Sequence, residues 1–257
     1  MFPILFQIGN FKVFSYGFFI ALGYLAAMFT CVRLAKKVNI SPAYIIDVVF
    51  ISLLMGLVGA RVLFVITTWQ YFKASPKEIF YIWQGGLVFY GGLLFAIPSI
   101  CTFAYIKKIP LLPLLDVLSF GVVIGHAIGR IGCLAAGCCH GKACSLPWAI
   151  RLDTDLVDPS VRDIPVHPTQ IYESLGLLML FFLLLQIRKR KHAAGSIALA
   201  YLIGYSLLRS LIEIYRGDSI RGFLFFSWLS TSQFISAIIV LVSLVLTWRL
   251  SRLRHNH

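Results

Sequence analysis

Residues 116–137 read DVLSFGVVIGHAIGRIGCLAAG, and this stretch decides the class of fold. It is long enough for an α-helix to cross a bilayer, which takes about 20 predominantly apolar residues. Arg130 lies well inside this apolar run. A charge at the bilayer centre costs about 2.5 to 3.5 kcal/mol on insertion scales, so a buried arginine marks a site by default.

The rest of the chain repeats this apolar pattern. Of its 257 residues, 59% are hydrophobic and 13% are charged, and the mean hydropathy is +0.87. In soluble domains, apolar residues are about half and charged residues about a quarter. The sequence therefore predicts an all-α, polytopic membrane protein with seven transmembrane helices. The predicted spans are 13–34, 46–68, 86–106, 116–137, 169–187, 195–215 and 229–249.

Basic residues predict the orientation of these spans, because positively charged short loops face the cytoplasm. They follow the first, third, fifth and seventh spans: Arg33, Lys36, Lys37, Lys107, Lys108, Arg188, Lys189, Arg190, Lys191, Arg249, Arg252 and Arg254. The amino terminus is therefore predicted outside and the carboxyl terminus in the cytoplasm. The net charge of +13 is best explained by anionic membrane lipids as partners of these helix ends, not by nucleic acid.

The sequence predicts one membrane domain over residues 1–257 with two segments on the outer side. Residues 69–85 are short, polar and rich in Trp and Tyr, which prefer the membrane interface. Residues 138–168 are the long extramembrane loop and are predicted to form an ordered cap. The first apolar stretch lacks the features of a cleavable signal peptide and is expected to remain as a span. Glycine-rich interruptions cluster mid-chain, which argues against an inverted-repeat transporter.

Arg61 and Arg209 also lie inside apolar spans, and acids able to pair with three such arginines are scarce. We therefore expect an anionic ligand to supply the missing negative charge. His126 and Arg130 are four residues apart and share a helical face. The alternative for Arg130 is that its side chain snorkels to the membrane interface.

The segment 209–216 reads RSLIEIYR and carries a second polar face. Arg209, Glu213 and Arg216 are spaced by four and seven residues, so they project from one side of a helix. Either Glu213 neutralises one arginine and leaves the other for a ligand, or the ion pair only fixes helix packing.

Two further segments place polar groups where spans begin. Residues 83–92 read WQGGLVFYGG, and the glycine pairs favour an irregular helix entry that exposes backbone groups and Tyr90 to a cavity. Residues 167–173 read HPTQIYE and predict a helix start with Glu173 in its first turns, where the helix dipole favours an acid. The structural alternatives, an interfacial tyrosine and a simple helix cap, stay open.

Four cysteines follow or end the fourth span: Cys133, Cys138, Cys139 and Cys144. Their C-x4-C-C-x4-C spacing lacks the C-x2-4-C pairs that are typical of zinc sites. A disulfide of Cys138 or Cys139 with Cys144 is chemically allowed outside the cytoplasm, and free apolar thiols are the default. The sequence therefore predicts no metal and no cofactor.

Seven short motifs follow one another along the chain. They are Y-G at 16–17, G-A-R at 59–61, W-x-G-G-x-x-F-x-G-G at 83–92, G-R-I-G at 129–132, H-P-T-Q-x-Y-E at 167–173, R-x-x-x-E-x-x-R at 209–216 and S-x-x-Q at 230–233. Together they resemble the motifs of the prolipoprotein diacylglyceryl transferases of bacterial inner membranes. Each motif alone is weak, but seven in this order over nearly the whole chain are highly specific.

Two positions depart from the family pattern. The best-known form of the family has His before the second glycine pair of the 83–92 motif, where this chain has Tyr90. It also reads G-R-x-G-N with a following acid, where this chain has Cys133 and, further on, Cys138. These departures leave the identity of any general base open.

The resemblance implies transfer of the diacylglyceryl group of phosphatidylglycerol to the lipobox cysteine thiol in the signal peptide of a prolipoprotein, with release of glycerol-1-phosphate. The implied location is the bacterial cytoplasmic membrane. Guanidinium groups bind phosphate oxygens and stabilise the charge that develops on a phosphate leaving group. We assign Arg130 and Arg209 to the phosphate, with Arg61 and Arg216 in support and Glu213 orienting an arginine.

The resemblance implies that the nucleophile is the substrate's own thiol. One alternative is that a positive field supplies enough thiolate, so that no dedicated base is needed. If a base acts, the candidates in order are Tyr90, His126 and His167. The other residues assigned to substrate binding are Tyr16, Gly91, Gly92, Gln170, Glu173 and Gln233. Two alternative functions stay open: a paralogue without transferase activity that binds lipid or lipoprotein, and a lipid or anion transporter.

Overall fold

The computed structural model describes residues 2–9, 11–152, 157, 161–190, 192–217, 223–224 and 229–255. Within these residues, seven helices are long and apolar enough to cross a membrane, which confirms the predicted number of spans. They are Ser15–Val38, Pro42–Thr67, Phe89–Ile106, Leu111–Ala136, Thr169–Lys189, Ser196–Tyr215 and Thr231–Leu250. The protein is a multi-pass, helical membrane protein.

The described elements include eight α-helices and three antiparallel pairs of strands, the latter not predicted. The helices are α1 (Ser15–Ala35), α2 (Pro42–Thr67), α3 (Trp69–Ala74), α4 (Phe89–Ile106), α5 (Leu111–Ala136), α6 (Thr169–Lys189), α7 (Ser196–Tyr215) and α8 (Thr231–His255). The strand pairs are β1 (Ile4–Ile8) with β2 (Phe11–Phe14), β3 (Ile150–Arg151) with β4 (Pro165–Val166), and β5 (Phe223–Leu224) with β6 (Leu229–Ser230). Because residues 11–14 are a strand, the first helix begins slightly later than predicted.

The start of α5 differs most from its predicted span. The helix begins at Leu111, not at 116, so Asp116 lies within its first turns. The buried carboxylate of Asp116 accepts hydrogen bonds from the backbone N–H groups of Gly195 and Ala198, each at 2.8 Å. These N–H groups belong to the start of α7, where a helix has unpaired donors. Asp116, at which the predicted span begins, therefore lies inside α5 and caps α7.

The chain divides into two compact units. The larger unit comprises Met1–Cys31 and Leu115–His257, and the smaller unit comprises Val32–Leu114. In the smaller unit, α2 and α4 pack where Gly59 meets Gly91, and a Cβ atom on either glycine would overlap the carbonyl oxygen of the other. The prediction of a single membrane domain stays a prediction.

Small residues also bring helices together in the larger unit. A Cβ atom on Gly23 of α1 would lie 2.7 Å from the carbonyl oxygen of Gly125 of α5. The Ser174 hydroxyl of α6 donates to the Ala127 carbonyl of α5 at 2.9 Å. Such close backbone approach is typical of helix packing in membranes. It fixes α5 between α1 and α6.

The two predicted outer segments contain short elements. Residues 69–85 contain α3 and the 3-10 helices Pro76–Phe80 and Ile82–Gln84. Residues 138–168 contain β3, β4 and a small buried cluster of Leu152, Val157 and Val166. Residues 153–156 and 158–160 of this segment lie outside the described residues. Lys191, one of the basic residues after the fifth predicted span, also lies outside them. The outer location of both segments stays a prediction.

Candidate active site

Arg130 of α5 forms an ion pair with Glu173 of α6. Arg130 Nη2 lies 2.9 Å from Glu173 Oε1, and the Glu173 side chain is 1% exposed. Arg130 Nε donates to Nε2 of His126, one turn earlier on α5, at 3.3 Å. The Nε2 lone pair of His126 is therefore engaged and cannot accept a proton while this hydrogen bond holds.

Arg209 and Glu213 form a second ion pair on α7. Arg209 Nη2 lies 2.5 Å from Glu213 Oε2 and donates to Ser232 Oγ of α8 at 3.1 Å. Arg209 Nη1 is buried and has no hydrogen-bond partner in the part of the chain that the structure describes. A buried donor without a partner carries a desolvation penalty. This N–H group is therefore suited to a bound anion.

Tyr205 joins the two ion pairs. Its ring lies 5.2 Å from the ring of His126, and it interacts electrostatically with Arg130, Glu173 and Arg209. The six side chains that meet here are termed the arginine cluster: His126, Arg130, Glu173, Tyr205, Arg209 and Glu213. Tyr205 is not among the residues predicted from the sequence, although its spacing of four residues before Arg209 places both on one helical face.

The expectation that acids are too scarce to pair the buried arginines is wrong for Arg130 and Arg209. Each has its own carboxylate, at 2.9 Å and 2.5 Å respectively. Glu173 reaches Arg130 across two helices, which a single-helix pattern does not reveal. The snorkelling alternative is also wrong, because the paired Arg130 side chain is only 14% exposed. Removing one partner of such a buried pair costs about 3 to 5 kcal/mol.

The end of α5 is a Schellman motif that precedes the cysteine pair. Gly137 has φ of 75°, which favours glycine. Its N–H bonds to the Leu134 carbonyl at 3.1 Å, and the Cys138 N–H bonds to the Cys133 carbonyl at 3.1 Å. This bond pattern brings the residue after the glycine back over the last turn of the helix. Cys138 therefore lies close to Cys133.

The first turn of α6 holds this end of α5. Gln170 Nε2 donates to the Cys138 carbonyl at 2.7 Å, and Thr169 Oγ1 donates to the Cys139 carbonyl at 2.9 Å. Gln170 Oε1 is buried without a hydrogen-bond partner among the described residues. The predicted helix start at residues 167–173 thus holds the end of α5. The side-chain oxygen of Gln170 is left for a ligand.

Arg216 lies at the end of α7 beside the α5–β3 connection. Its backbone bridges that of Gly141, and its guanidinium interacts with the Cys139 thiol. A Cβ atom on Gly141 would lie 2.7 Å from the His167 carbonyl and 2.8 Å from the Tyr215 carbonyl. Only glycine fits this crossing, which holds Arg216 against the end of α5.

His167 belongs to an aromatic group. Its ring lies 5.2 Å from that of Tyr215 and 6.1 Å from that of Tyr172. The Tyr172 hydroxyl accepts a hydrogen bond from Trp148 Nε1 at 2.7 Å. Over the described ranges, no hydrogen bond or ion pair joins His167 to the arginine cluster. The structure therefore gives it aromatic and backbone contacts and a 3.4 Å hydrogen-bond contact between its Nδ1 and the Tyr172 hydroxyl.

Tyr16 lies near the arginine cluster at the start of α1. A Cβ atom on Gly132 of α5 would lie 3.4 Å from the Tyr16 carbonyl. The Tyr16 side chain is half exposed and interacts electrostatically with Arg130, Cys133 and Cys138. The structure thus brings this predicted substrate-binding residue to the same end of α5.

Arg61, in the smaller unit, is satisfied by backbone carbonyls. Its three nitrogens donate to five carbonyl oxygens, at distances from 2.5 to 3.4 Å: Glu78, Ile79, Tyr81, Gly85 and Gly86. An arginine has five N–H donors, so none is left for a phosphate. In the structure Arg61 therefore holds the carbonyls of residues 78–86, and its predicted support of the phosphate stays a prediction. Gly85 and Gly86 have φ of 87° and 74°, which presents their carbonyls to the guanidinium.

Gly91 and Gly92 serve helix packing in the smaller unit. Both face α2, where a Cβ atom on Gly92 would lie 3.2 Å from the Gly56 carbonyl and one on Gly91 would overlap Gly59. Their predicted substrate-binding role stays a prediction. The neighbouring Tyr90 is half exposed, with its ring 5.9 Å from that of Phe89.

Gln233 is part of a capping box at the start of α8. The Gln233 N–H donates to Ser230 Oγ, and the Ser230 N–H donates to Gln233 Oε1, both at 3.2 Å. This reciprocal pair satisfies donors that the first turn of a helix leaves free. The S-x-x-Q motif thus forms a helix cap, and the predicted binding role of Gln233 stays a prediction.

Comparisons with known proteins show the family of this chain. The family model described as prolipoprotein diacylglyceryl transferase matches residues 3–249. Proteins named phosphatidylglycerol–prolipoprotein diacylglyceryl transferase are similar over nearly their whole length. That of Finegoldia magna is 35% identical over 244 residues, covering 95% of this chain and 93% of its own. That of Clostridium tetani is 33% identical over 242 residues, with coverages of 94% and 95%.

The relative from Streptococcus mutans bears the same name and is 34% identical over 250 residues, covering 95% of this chain and 93% of its own. Both the family model and these relatives span the helices that carry the arginine cluster. The chain therefore belongs to the prolipoprotein diacylglyceryl transferase family.

Proposed function

We propose that this protein transfers the diacylglyceryl group of phosphatidylglycerol to the lipobox cysteine of prolipoproteins, the first step of bacterial lipoprotein maturation. The observation that carries the proposal is the arginine cluster. It holds two buried guanidinium groups within membrane spans, and Arg209 Nη1 has no hydrogen-bond partner among the described residues. A lipid phosphodiester has the charge and the membrane location that such a site requires.

In the proposed reaction, the sulfur of the substrate cysteine attacks the glyceryl carbon that carries the phosphate ester. A carbon–sulfur bond forms, the carbon–oxygen bond breaks, and its electron pair leaves on glycerol-1-phosphate. Negative charge therefore grows on the phosphate as the bond breaks. Donors aimed at developing charge in a dry site are worth more than the same donors in water. Arg130 and Arg209 supply these donors.

The two carboxylates orient the arginines for this task. Glu173 and His126 bind Arg130 through Nη2 and Nε, and Glu213 binds Arg209 through Nη2. Arg209 Nη1, which has no hydrogen-bond partner among the described residues, is therefore left for the phosphate. A guanidinium held on one side is preorganised, so less side-chain freedom is lost when the lipid binds.

Further contacts are assigned by the same reasoning. The buried Oε1 of Gln170 is suited to a hydroxyl of the glycerol headgroup, because an amide oxygen accepts hydrogen bonds. Arg216 supports the site from the end of α7, and Tyr16 lines it from α1. Arg61 holds the 78–86 segment through carbonyls and is a positioning residue.

The proton of the substrate thiol requires an acceptor. Tyr90 stays the first candidate, followed by His126 and His167. His126 would have to release the hydrogen bond that its Nε2 accepts from Arg130 before it could take the proton. The alternative is ionisation of the thiol, with an ordinary pKa near 8.5, in the field of the arginines.

The direct test incubates the purified protein in detergent with phosphatidylglycerol and a lipobox peptide, with mass spectrometry of the products. The proposal predicts a diacylglyceryl thioether on the peptide and an equal amount of glycerol-1-phosphate. A peptide with Ser in place of Cys is the matched control and should stay unmodified. A folded protein that binds the peptide or the lipid but forms no thioether would instead be a paralogue without transferase activity.

The proposed location is the bacterial cytoplasmic membrane, with the amino terminus outside. Basic residues after alternate spans support this orientation. Reporter fusions after residues 37, 110 and 191 are expected to give cytoplasmic signals. A periplasmic signal at any of these positions would refute the orientation.

A further inference from the structure

A second cluster lies at the end of α5, three residues beyond Arg130 along the chain. The Sγ atoms of Cys133, Cys138 and Cys139 all lie within 4.8 Å of one another, and all three are free thiols. The proposed transfer uses none of them. These three side chains are termed the thiol cluster.

The backbone fixes the positions of these thiols. The Schellman hydrogen bond from the Cys138 N–H to the Cys133 carbonyl, at 3.1 Å, brings the first two together. Cys139 has φ of 62°, an uncommon left-handed conformation for a residue other than glycine. The Cys138 and Cys139 carbonyls are tied to α6 by Gln170 and Thr169 at 2.7 and 2.9 Å. The three sulfurs are thus held together before any ligand binds.

Positive charges surround the thiol cluster. Arg216 interacts with the Cys139 thiol, and Arg130 interacts with Cys133. Cations beside a cysteine favour its thiolate form, which is the form that binds metals.

We propose that the thiol cluster binds one soft metal ion, Cu⁺ or Zn²⁺, through the sulfurs of Cys133, Cys138 and Cys139. Thiolate ligands select such ions, whereas Mg²⁺ and Ca²⁺ require oxygen ligands. With metal–sulfur bonds of about 2.3 Å, neighbouring sulfurs lie about 3.8 Å apart. The observed separations of at most 4.8 Å reach this value through small side-chain rotations.

The charge balance favours the same ligand class. Three thiolates with Cu⁺ carry a net charge of −2, and the Arg216 guanidinium, which interacts with the Cys139 thiol, offsets part of it. With Zn²⁺ the net charge is −1. The thiol protons go to solvent when the metal binds, so metal affinity rises with pH.

The test titrates Cu⁺ and, separately, Zn²⁺ into the reduced, full-length protein in detergent against a chromophoric chelator. One ion per chain and thiolate-to-metal absorption in the ultraviolet are expected with at least one of the two metals. Cys138→Ser and Cys139→Ser should each lose this binding. Cys144→Ser is the matched control, since Cys144 lies on the same connection but outside the cluster, and it should bind as the parent does. Equal binding by all three variants, or no stoichiometric binding of either metal, would overturn the proposal.

Alkylation followed by mass spectrometry tests the ligands without substitution. The metal is expected to protect all three clustered cysteines, while Cys144 reacts equally with and without it. Arg216→Gln should lower metal affinity by about 10- to 100-fold, as loss of a group that hydrogen-bonds a ligand does. Equal alkylation of Cys138 with and without metal would contradict the site even if a serine variant failed to fold. These measurements use no lipid or peptide, so their outcome is independent of the proposed transferase activity.

Discussion

Arg61 and Arg209 are both 8% exposed inside apolar helices, yet their surroundings differ in kind. Arg61 in the smaller unit donates to five backbone carbonyls. Arg209 in the larger unit pairs with Glu213 and keeps Nη1 without a hydrogen-bond partner among the described residues. The first arrangement saturates the guanidinium, whereas the second orients it and leaves one donor without a partner in the described part of the chain. A buried arginine in a membrane span therefore marks a ligand site only when its donors are not already used.

Tyr90→Phe tests whether the smaller unit contributes a reacting group. If the Tyr90 hydroxyl accepts the thiol proton, transfer should fall by about 100- to 10,000-fold, the range of general acid–base groups. Tyr90→His should retain much of the activity, because imidazole also accepts protons. The measurement is the initial rate of thioether formation, with Phe89→Leu as the neighbouring control. An active Phe variant would restrict the chemistry to the larger unit and favour thiol ionisation in the arginine field.

Glu173→Ala breaks the ion pair that crosses between α5 and α6. We expect the free energy of unfolding to fall by about 3 to 5 kcal/mol, because Arg130 is left buried without its carboxylate. Thermal unfolding in detergent measures the change. Gln186→Ala, at an exposed position of the same helix, should have little effect. Equal stability of the two variants would show that Arg130 finds another partner and does not depend on Glu173.

Arg61→Lys should lower stability more than activity. Lysine offers three donors where five carbonyls must be satisfied, and each buried polar group left unpaired costs about 1 to 3 kcal/mol. The fraction that remains folded should transfer lipid at nearly the parent rate. An Arg61→Lys variant that unfolds at the same temperature as the parent protein but no longer transfers lipid would contradict the contrast between Arg61 and Arg209. Arg61 would then act in the chemistry.

Gln233→Ala should have the smallest effect. Loss of one side of the capping box lowers the stability of the start of α8 by about 0.5 to 2 kcal/mol. The rate of transfer at saturating substrate should stay near that of the parent protein. A selective rise in KM for phosphatidylglycerol at unchanged thermal stability would return Gln233 to the binding site.

Local patterns in the sequence predicted the seven helices and the spacing of Arg209 with Glu213. These features depend on residues within one helix, so hydropathy and a period of four residues reveal them. The pairing of Arg130 with Glu173 and the capping of α7 by Asp116 join different helices, and no local pattern contains them. The carbonyls around Arg61 were equally hidden, because any residue type can supply a backbone oxygen.

The thiol cluster shows the same limit at short range. Four residues separate Cys133 from Cys138, and Cys139 follows Cys138 directly, a spacing that does not match zinc motifs. The left-handed backbone of Gly137 and Cys139 nevertheless folds the chain back so that the three sulfurs meet. The turn geometry, not the spacing alone, determines which cysteines are neighbours.

The kinetics of Arg209→Lys test the central claim most directly. Lysine keeps the charge but loses the planar fork, so we expect the maximal rate of transfer to fall by about 100- to 1,000-fold, as for loss of one preorganised donor. Arg190→Lys, at the exposed end of α6, is the matched control and should transfer at the parent rate. Thermal unfolding must show that both variants are folded. A folded Arg209→Lys protein with a rate near that of the control would contradict the role of Arg209 in binding the phosphate.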